Sequence, residues 1–206
     1  MTSQTVDALL DAAEAEFADA GIEAGSLRRI MRAAGADPGA VHYHFGNREA
    51  LAEAVLGRIL APLNSRRLEL LGRATALGNP TLGQLVEALI RPDIDAAHAL
   101  QARSPGRARL IAALYLRPAE FVEAAVAAHF APVADAFRPH LEAAAPGVPF
   151  ETMAWRVRWC LFGTVGALLA DQSAPFDRDA RQLIAELVTV LTAAVGAPAA
   201  GAPAER

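Results

Sequence analysis

Apolar residues recur every three or four positions along most of the chain, and no stretch alternates with the period of a strand. Val6, Leu10, Ala13 and Phe17 form one stripe, with Asp7, Asp11 and Glu14 off it; this predicts a helix over residues 6–20, ended by Gly21. Ser26 is a good N-cap for a second helix whose apolar face is Leu27, Ile30, Met31 and Ala34. Gly35 breaks the chain. Asp37 followed by Pro38 matches an N-cap and first helical position, so a short third helix is predicted to run to Phe45. Gly46 stops it, and Asn47 caps a fourth helix beginning "REALAEAVLGRIL".

Two short helices separated by Gly35 and Ala36, with a third helix behind them, form a helix-turn-helix pattern. Beyond it the pattern stays helical and lengthens. Pro62 is expected to kink the fourth helix or mark a joint near it. Gly78, Asn79 and Pro80 break the chain, and Thr81 caps a helix that turns Leu82, Leu85, Val86, Leu89 and Ile90 inward. Further helices are predicted near 107–116, 119–143, 150–171 and 178–195, and a disordered tail over 197–206. The fold class is therefore all-α, with about nine helices. Residues 1–50 read as an N-terminal three-helix module and 51–196 as a larger helical domain.

Composition agrees. The chain has 206 residues, of which 53% are hydrophobic and 20% charged, enough for a packed core. The longest apolar run, 159–170, falls short of the ~20 residues that a membrane helix needs. Acids stand near the N-terminus where a signal peptide would carry a basic segment, so a cytoplasmic protein with no membrane partner is expected. The lone Cys160 can form no internal disulfide and reads as a small core residue.

Net charge is −4, which argues against nucleic acid until its distribution is considered. Positions 24–48 hold Arg28, Arg29, Arg32 and Arg48 against Asp37 alone, while the other acids of this region cluster on residues 7–23. A local basic patch can bind phosphate while the remainder stays acidic.

In a helix-turn-helix the second helix enters the major groove and its early residues meet base edges. On the third helix Val41 and Phe45 face the core, leaving Pro38, Gly39, His42 and Tyr43 outward. Gly39 and Ala40 permit close backbone approach, and Pro38 or Ala40 can touch a thymine methyl. His42 can bond a base edge. Tyr43, His44 and Arg48 can reach phosphates. As metal ligands His42 and His44 are poorly placed, because residues two apart on a helix point away from each other. No metal, cofactor or catalytic residue is expected: the chain shows no nucleophile–base set, phosphate loop or metal spacing.

The segment "TVDALLDAAEAEFADAGIEAGSLRRIMRAAGADPGAVHYHFGNREALAEAVL", residues 5–56, resembles the DNA-binding domain of the TetR (tetracycline-repressor-like) regulators. The resemblance runs through "DAAEAEFADAG", "SLRRI", "AAG", "GAVHYHF" and "NREAL". It implies a homodimer on a palindromic operator, most often a repressor released by a small molecule. By position it implies DNA contacts from Ser26, Arg28, Tyr43, His44 and Arg48, with base reading by 38–42. Where the family usually has lysine at the start of the fourth helix, this chain has Arg48.

The helix 150–171 is apolar on two opposite faces, with Trp155, Trp159, Phe162 and Gly166 across from Phe150, Met153, Val157 and Leu161. Such a helix is buried on both. One face suits a partner chain, and with the last helix it suggests a dimer seam at Phe162, Gly166, Leu183, Leu187 and Leu191. A plain intrachain bundle fits almost as well. For a small, largely apolar effector the candidate pocket residues are His98, Arg103, Tyr115, Phe121, Trp155 and Trp159. Alternatives are an activator or co-repressed regulator of the same fold, and a helical enzyme or carrier protein.

Overall fold

The computed structural model describes residues 2–103, 110–111, 120–170 and 180–199, with some side chains next to the gaps left out. Its described residues form eight helices and no strand: α1 (Thr2–Ala20), α2 (Leu27–Ala33), α3 (Ala40–Phe45), α4 (Arg48–Ala76), α5 (Leu82–Arg103), α6 (Glu120–Ala144), α7 (Phe150–Ala170) and α8 (Ala180–Gly196). The helix expected near 107–116 falls mostly outside the described residues.

The local signals act largely as the sequence suggests. Ser26 Oγ accepts from the Arg29 amide at 3.4 Å, and Asn47 Oδ1 accepts from the Ala50 amide at 2.8 Å, so each satisfies an amide that its helix leaves free. Thr81 and Gln84 form a reciprocal capping box at the start of α5: Gln84 Oε1 accepts from the Thr81 amide at 2.8 Å, and Thr81 Oγ1 accepts from the Gln84 amide at 3.3 Å. Gly35 and Gly46 close α2 and α3 at φ +62° and +83°, a conformation that side-chain-bearing residues rarely adopt.

The third helix begins later than expected. Its N-cap is Gly39, not Asp37, and Pro38 and Gly39 form a turn before it. The Asp37 carbonyl accepts from the Ala40 amide at 2.9 Å, which makes the bend with backbone instead of the carboxylate.

Leu9, Ala13 and Phe17 of α1, Ile30 of α2, Val41 of α3, and Leu51, Ala52, Val55 and Leu56 of α4 close the N-terminal core. α4 then continues as one helix through Pro62 and packs on α5 and α6. α5 lies at the centre of the second half, touching α4, α6, α7 and α8. Gly196 of α8 lies so close to α5 that a Cβ there would meet Leu82 Cδ2 at 2.8 Å.

The residues at the end of α8 are held. Arg156 of α7 donates to the carbonyls of Val195, Ala197 and Pro198, a cation at a helix C-terminus. Most of the expected disordered tail, residues 200–206, lies outside the described part. Cys160 is partly buried against the core, and that burial pushes its thiol above its ordinary value. No helix among the described residues is long and apolar enough to cross a membrane.

Candidate nucleic-acid interface

The surface formed by α2, the Pro38–Gly39 turn and α3 carries most of the expected DNA-facing residues. Val41 is buried at 1% exposure and Phe45 is half-buried against the core, which fixes the roll of α3. Tyr43 is thereby turned outward at 81% exposure, with its ring edge-on to His44 at 4.8 Å. Pro38, Gly39 and His42 are exposed. A Cβ at Gly39 would meet nothing within 4 Å, so the backbone there is open to an approaching molecule.

Two of the expected contacts are differently placed. Ala40 is buried at 9% exposure and packs in the core next to Val41, so its methyl is not presented to a thymine methyl. His42 is exposed but not free: its Nδ1 is 2.7 Å from the Gly46 carbonyl oxygen, so it spans its own helix end. For that contact Nδ1 carries the proton and donates, and the Nε2 atom is the one left to bond a base.

The four arginines of the basic patch divide by partner. Glu16 Oε1 accepts from the Ser26 amide at 2.7 Å, from Arg29 Nε at 2.9 Å and from Arg29 Nη2 at 2.6 Å. This ties the start of α2 to α1. The Ser26 amide, foremost, and the Arg29 guanidinium hold the Glu16 carboxyl below its ordinary value, against the opposing effect of burial. Arg48 Nη1 donates into the α1–α2 turn, to the carbonyls of Ile22 at 3.3 Å, Glu23 at 3.2 Å and Gly25. Arg58, further along α4, pairs with Asp11 at 2.7 Å and Glu14 at 2.9 Å. Arg28 and Arg32 remain, both exposed and without a partner among the described residues. They stand four apart on α2, one turn above the other. Sequence spacing could not separate them from Arg29 and Arg48, because the partners of those two lie 13 to 26 residues away.

In the second half, Trp155 and Trp159 do not line an interior pocket. Each is 60% exposed, with ring centroids 6.0 Å apart on the outer face of α7. Leu183 and Leu191, expected between chains, are buried at 2% and 5% exposure in the chain's own core. Leu187 is half-buried, and Val190, which the sequence did not single out, is 55% exposed on α8. His98 is half-buried with its Nε2 enclosed. Arg103, Tyr115, Phe121, Phe162 and Gly166 fall where side chains are not described. Among the described residues no three His, Cys, Asp or Glu side chains cluster as metal ligands would.

Comparison with solved structures gives the same architecture. FadR from Bacillus subtilis, in complex with stearoyl-CoA, matches with a TM-score of 0.69 at 12% identity, covering 94% of this chain and 99% of that one. NalD of Pseudomonas aeruginosa, the secondary repressor of a multidrug efflux pump, matches at 0.61 and 21% identity, over 93% and 96%. A cysteine mutant of the TetR family regulator CifR, complexed with a 26-bp operator duplex, matches at 0.61 and 21% identity, over 91% and 95%. At these identities the likeness is one of fold. A comparison with curated proteins finds no match. The family models are specific: residues 9–55 match the bacterial regulatory proteins of the tetR family, and residues 87–194 match the tetracyclin repressor-like C-terminal domain. The helix-turn-helix thus stands on the first match and the helical second half on the other, and the chain belongs to the TetR family of DNA-binding transcriptional regulators, which are not enzymes.

Proposed function

We propose that this regulator is a cytoplasmic repressor that binds a palindromic operator as a homodimer and is released by a small, largely apolar effector. Residues 1–50 face DNA, and 51–196 hold the effector and the dimer seam. The observation that carries the DNA side is the division among the arginines: Arg28 and Arg32 of α2 are exposed and without a partner among the described residues, while Arg29, Arg48 and Arg58 are bonded within the fold. Arg28 and Arg32 take phosphates; Pro38, Gly39, Tyr43 and the Nε2 atom of His42 approach the groove. The FadR structure with stearoyl-CoA, which shares the fold, supports an apolar effector.

Release requires that the effector bind better to the form that fits DNA poorly. The lever is α4, anchored to α1 through Arg58 and to α5 through Arg67. The two recognition helices of a dimer must stand about 34 Å apart to enter successive turns of the groove, so a shift of a few ångströms suffices. Such coupling is of order 1–3 kcal/mol.

The test begins with selecting a duplex from random sequence on the purified protein. A library of acyl-chain and aromatic compounds is then screened by thermal shift, and each hit is titrated against the bound duplex. A palindromic consensus, and a hit that weakens binding by the factor with which the duplex weakens the hit, is the expected result. A selected sequence without two-fold symmetry counts against the dimer model, and hits that tighten the complex would make the protein a co-repressed regulator.

A further inference from the structure

Arg48 is the first residue of α4, and its side chain turns back toward the N-terminal module. Its Nη1 carries two hydrogens and faces three acceptors, the carbonyls of Ile22, Glu23 and Gly25. These belong to the turn between α1 and α2, which Gly21 opens at φ +83° and whose Gly25 amide donates back to the Gly21 carbonyl at 2.9 Å. Carbonyls converging from one turn make a partly negative cup. A guanidinium is well suited to it, since bonds from a charged donor are the stronger kind. Ser26 follows at once: its amide goes to Glu16 and its hydroxyl caps α2. The turn that Arg48 holds is therefore the one that sets where α2 starts and in which direction it points. α2 in turn carries Arg28 and Arg32.

We propose that Arg48 is a positioning residue for DNA binding, holding the α1–α2 turn by three carbonyls so that α2 presents Arg28 and Arg32, and not itself a phosphate contact. The proposal rests on reading the α2–α3 face as the one that meets DNA. It departs from the role that the TetR resemblance implies for the residue opening the fourth helix.

The full-length protein and its Arg48→Ala, Arg48→Gln, Arg48→Lys and Arg28→Ala variants, together with Arg48→Ala and Arg48→Gln in an Arg28→Ala, Arg32→Ala background and that background alone, are titrated with a duplex selected by the wild type, over a range of salt. The temperature is one at which melting shows every variant folded. Arg48→Ala is expected to weaken the duplex about tenfold in the otherwise wild-type protein, and to change neither affinity nor salt slope further once Arg28 and Arg32 are both alanine. Arg48→Lys recovers most of the loss, because an ammonium offers three donors to three carbonyls. Arg48→Gln, which keeps an N–H donor without charge, is expected to lose less than Arg48→Ala, likewise without further effect once Arg28 and Arg32 are alanine, and serves if the alanine variant does not fold. Arg28→Ala lowers the slope by about one unit. A slope lowered by about one further unit when Arg48→Ala or Arg48→Gln is added to the Arg28→Ala, Arg32→Ala protein would assign Arg48 a phosphate of its own and overturn the proposal. Wild-type affinity in folded Arg48→Ala overturns it too, leaving the residue only structural. An unchanged slope in Arg28→Ala overturns the DNA-facing reading itself, and the role of Arg48 with it.

Discussion

Arg67 of α4 donates to the carboxylate of Asp93 of α5, and the two side chains are 2% and 1% exposed. The guanidinium is satisfied on other sides: Nε donates to the Leu89 carbonyl at 2.9 Å, Nη1 to Asn64 Oδ1 at 2.6 Å, and the Phe130 ring lies 4.9 Å away. Asn64 in turn donates to the His129 carbonyl of α6 at 2.8 Å, so one connected group spans three helices. Removing one member strands a charge. Asp93→Ala is expected to cost about 3–5 kcal/mol in denaturant unfolding. The double variant Arg67→Met with Asp93→Leu, which removes both charges, should recover much of that loss. If the single and double variants unfold at the same denaturant concentration, the pair contributes nothing by being complete.

Two glycines of the N-terminal module should respond in opposite ways. A Cβ at Gly25 would lie 2.7 Å from Phe17 Cδ1, and Phe17 is 1% exposed, so its ring cannot swing aside without disturbing the core. Gly25→Ala should lose about 1–3 kcal/mol of stability. A Cβ at Gly39 meets nothing, and its φ of −95° suits any residue. Gly39→Ala should leave stability within about 0.5 kcal/mol of wild type while weakening the selected duplex. Melting curves and duplex titration of the two variants separate these effects; an unimpaired Gly39→Ala on DNA would show that the groove is not approached there.

The exposed Trp155 and Trp159 are expected to be covered by the second chain of a dimer, together with Val190 and the outer side of Leu187. Wild type should sediment as a dimer at micromolar concentration. Trp159→Glu places an unpaired charge in that contact and should cost at least about 2 kcal/mol of association, as central aromatic residues do. Tryptophan emission should shift to shorter wavelength as protein concentration is raised through the association range. Emission that is independent of concentration in a sedimenting dimer would place the seam elsewhere.

Acid should loosen the link between α1 and α2. The folded Glu16 carboxyl titrates below its unfolded value. Its contribution is therefore present in full above the ordinary carboxylate range, and is lost as pH falls through the depressed folded value. The stability difference between wild type and Glu16→Gln, followed from pH 7 down to about pH 3, should shrink on acidification. A difference that grows as pH falls would mean that the carboxyl is raised, not lowered.

The boundaries of α2 and α4 were legible because their signals are local. Ser26 and Asn47 bond amides three residues on, and Gly35 and Gly46 take positive φ beside the helices that they end. The start of α3 was misread for a related reason. Asp-Pro-Gly suits a capped first turn as well as a separate bend, and the choice is made by whether the carboxylate or the carbonyl of Asp37 catches the amide ahead. The arginine roles were not legible at all: free and committed residues differ only in partners brought from α1 and its following turn. For α7 the periodicity separated the two faces correctly, with Met153, Val157 and Leu161 inward. It could not say that the tryptophan face meets the surface and not a pocket, because an apolar stripe looks the same whatever covers it. Leu183 and Leu191 were misplaced by the same ambiguity.

On the proposed reading, with Arg29, Arg48 and Arg58 bonded within the chain, Arg28 and Arg32 are the phosphate contacts that α2 offers. Affinity for arbitrary sequence grows with the number of phosphates neutralised. A small number makes each encounter with the wrong sequence brief. Such a regulator is not held in long sliding excursions along the chromosome. It would find its site by many short visits with few of its copies sequestered elsewhere, so a modest number of molecules per cell would keep a free pool able to respond when conditions change.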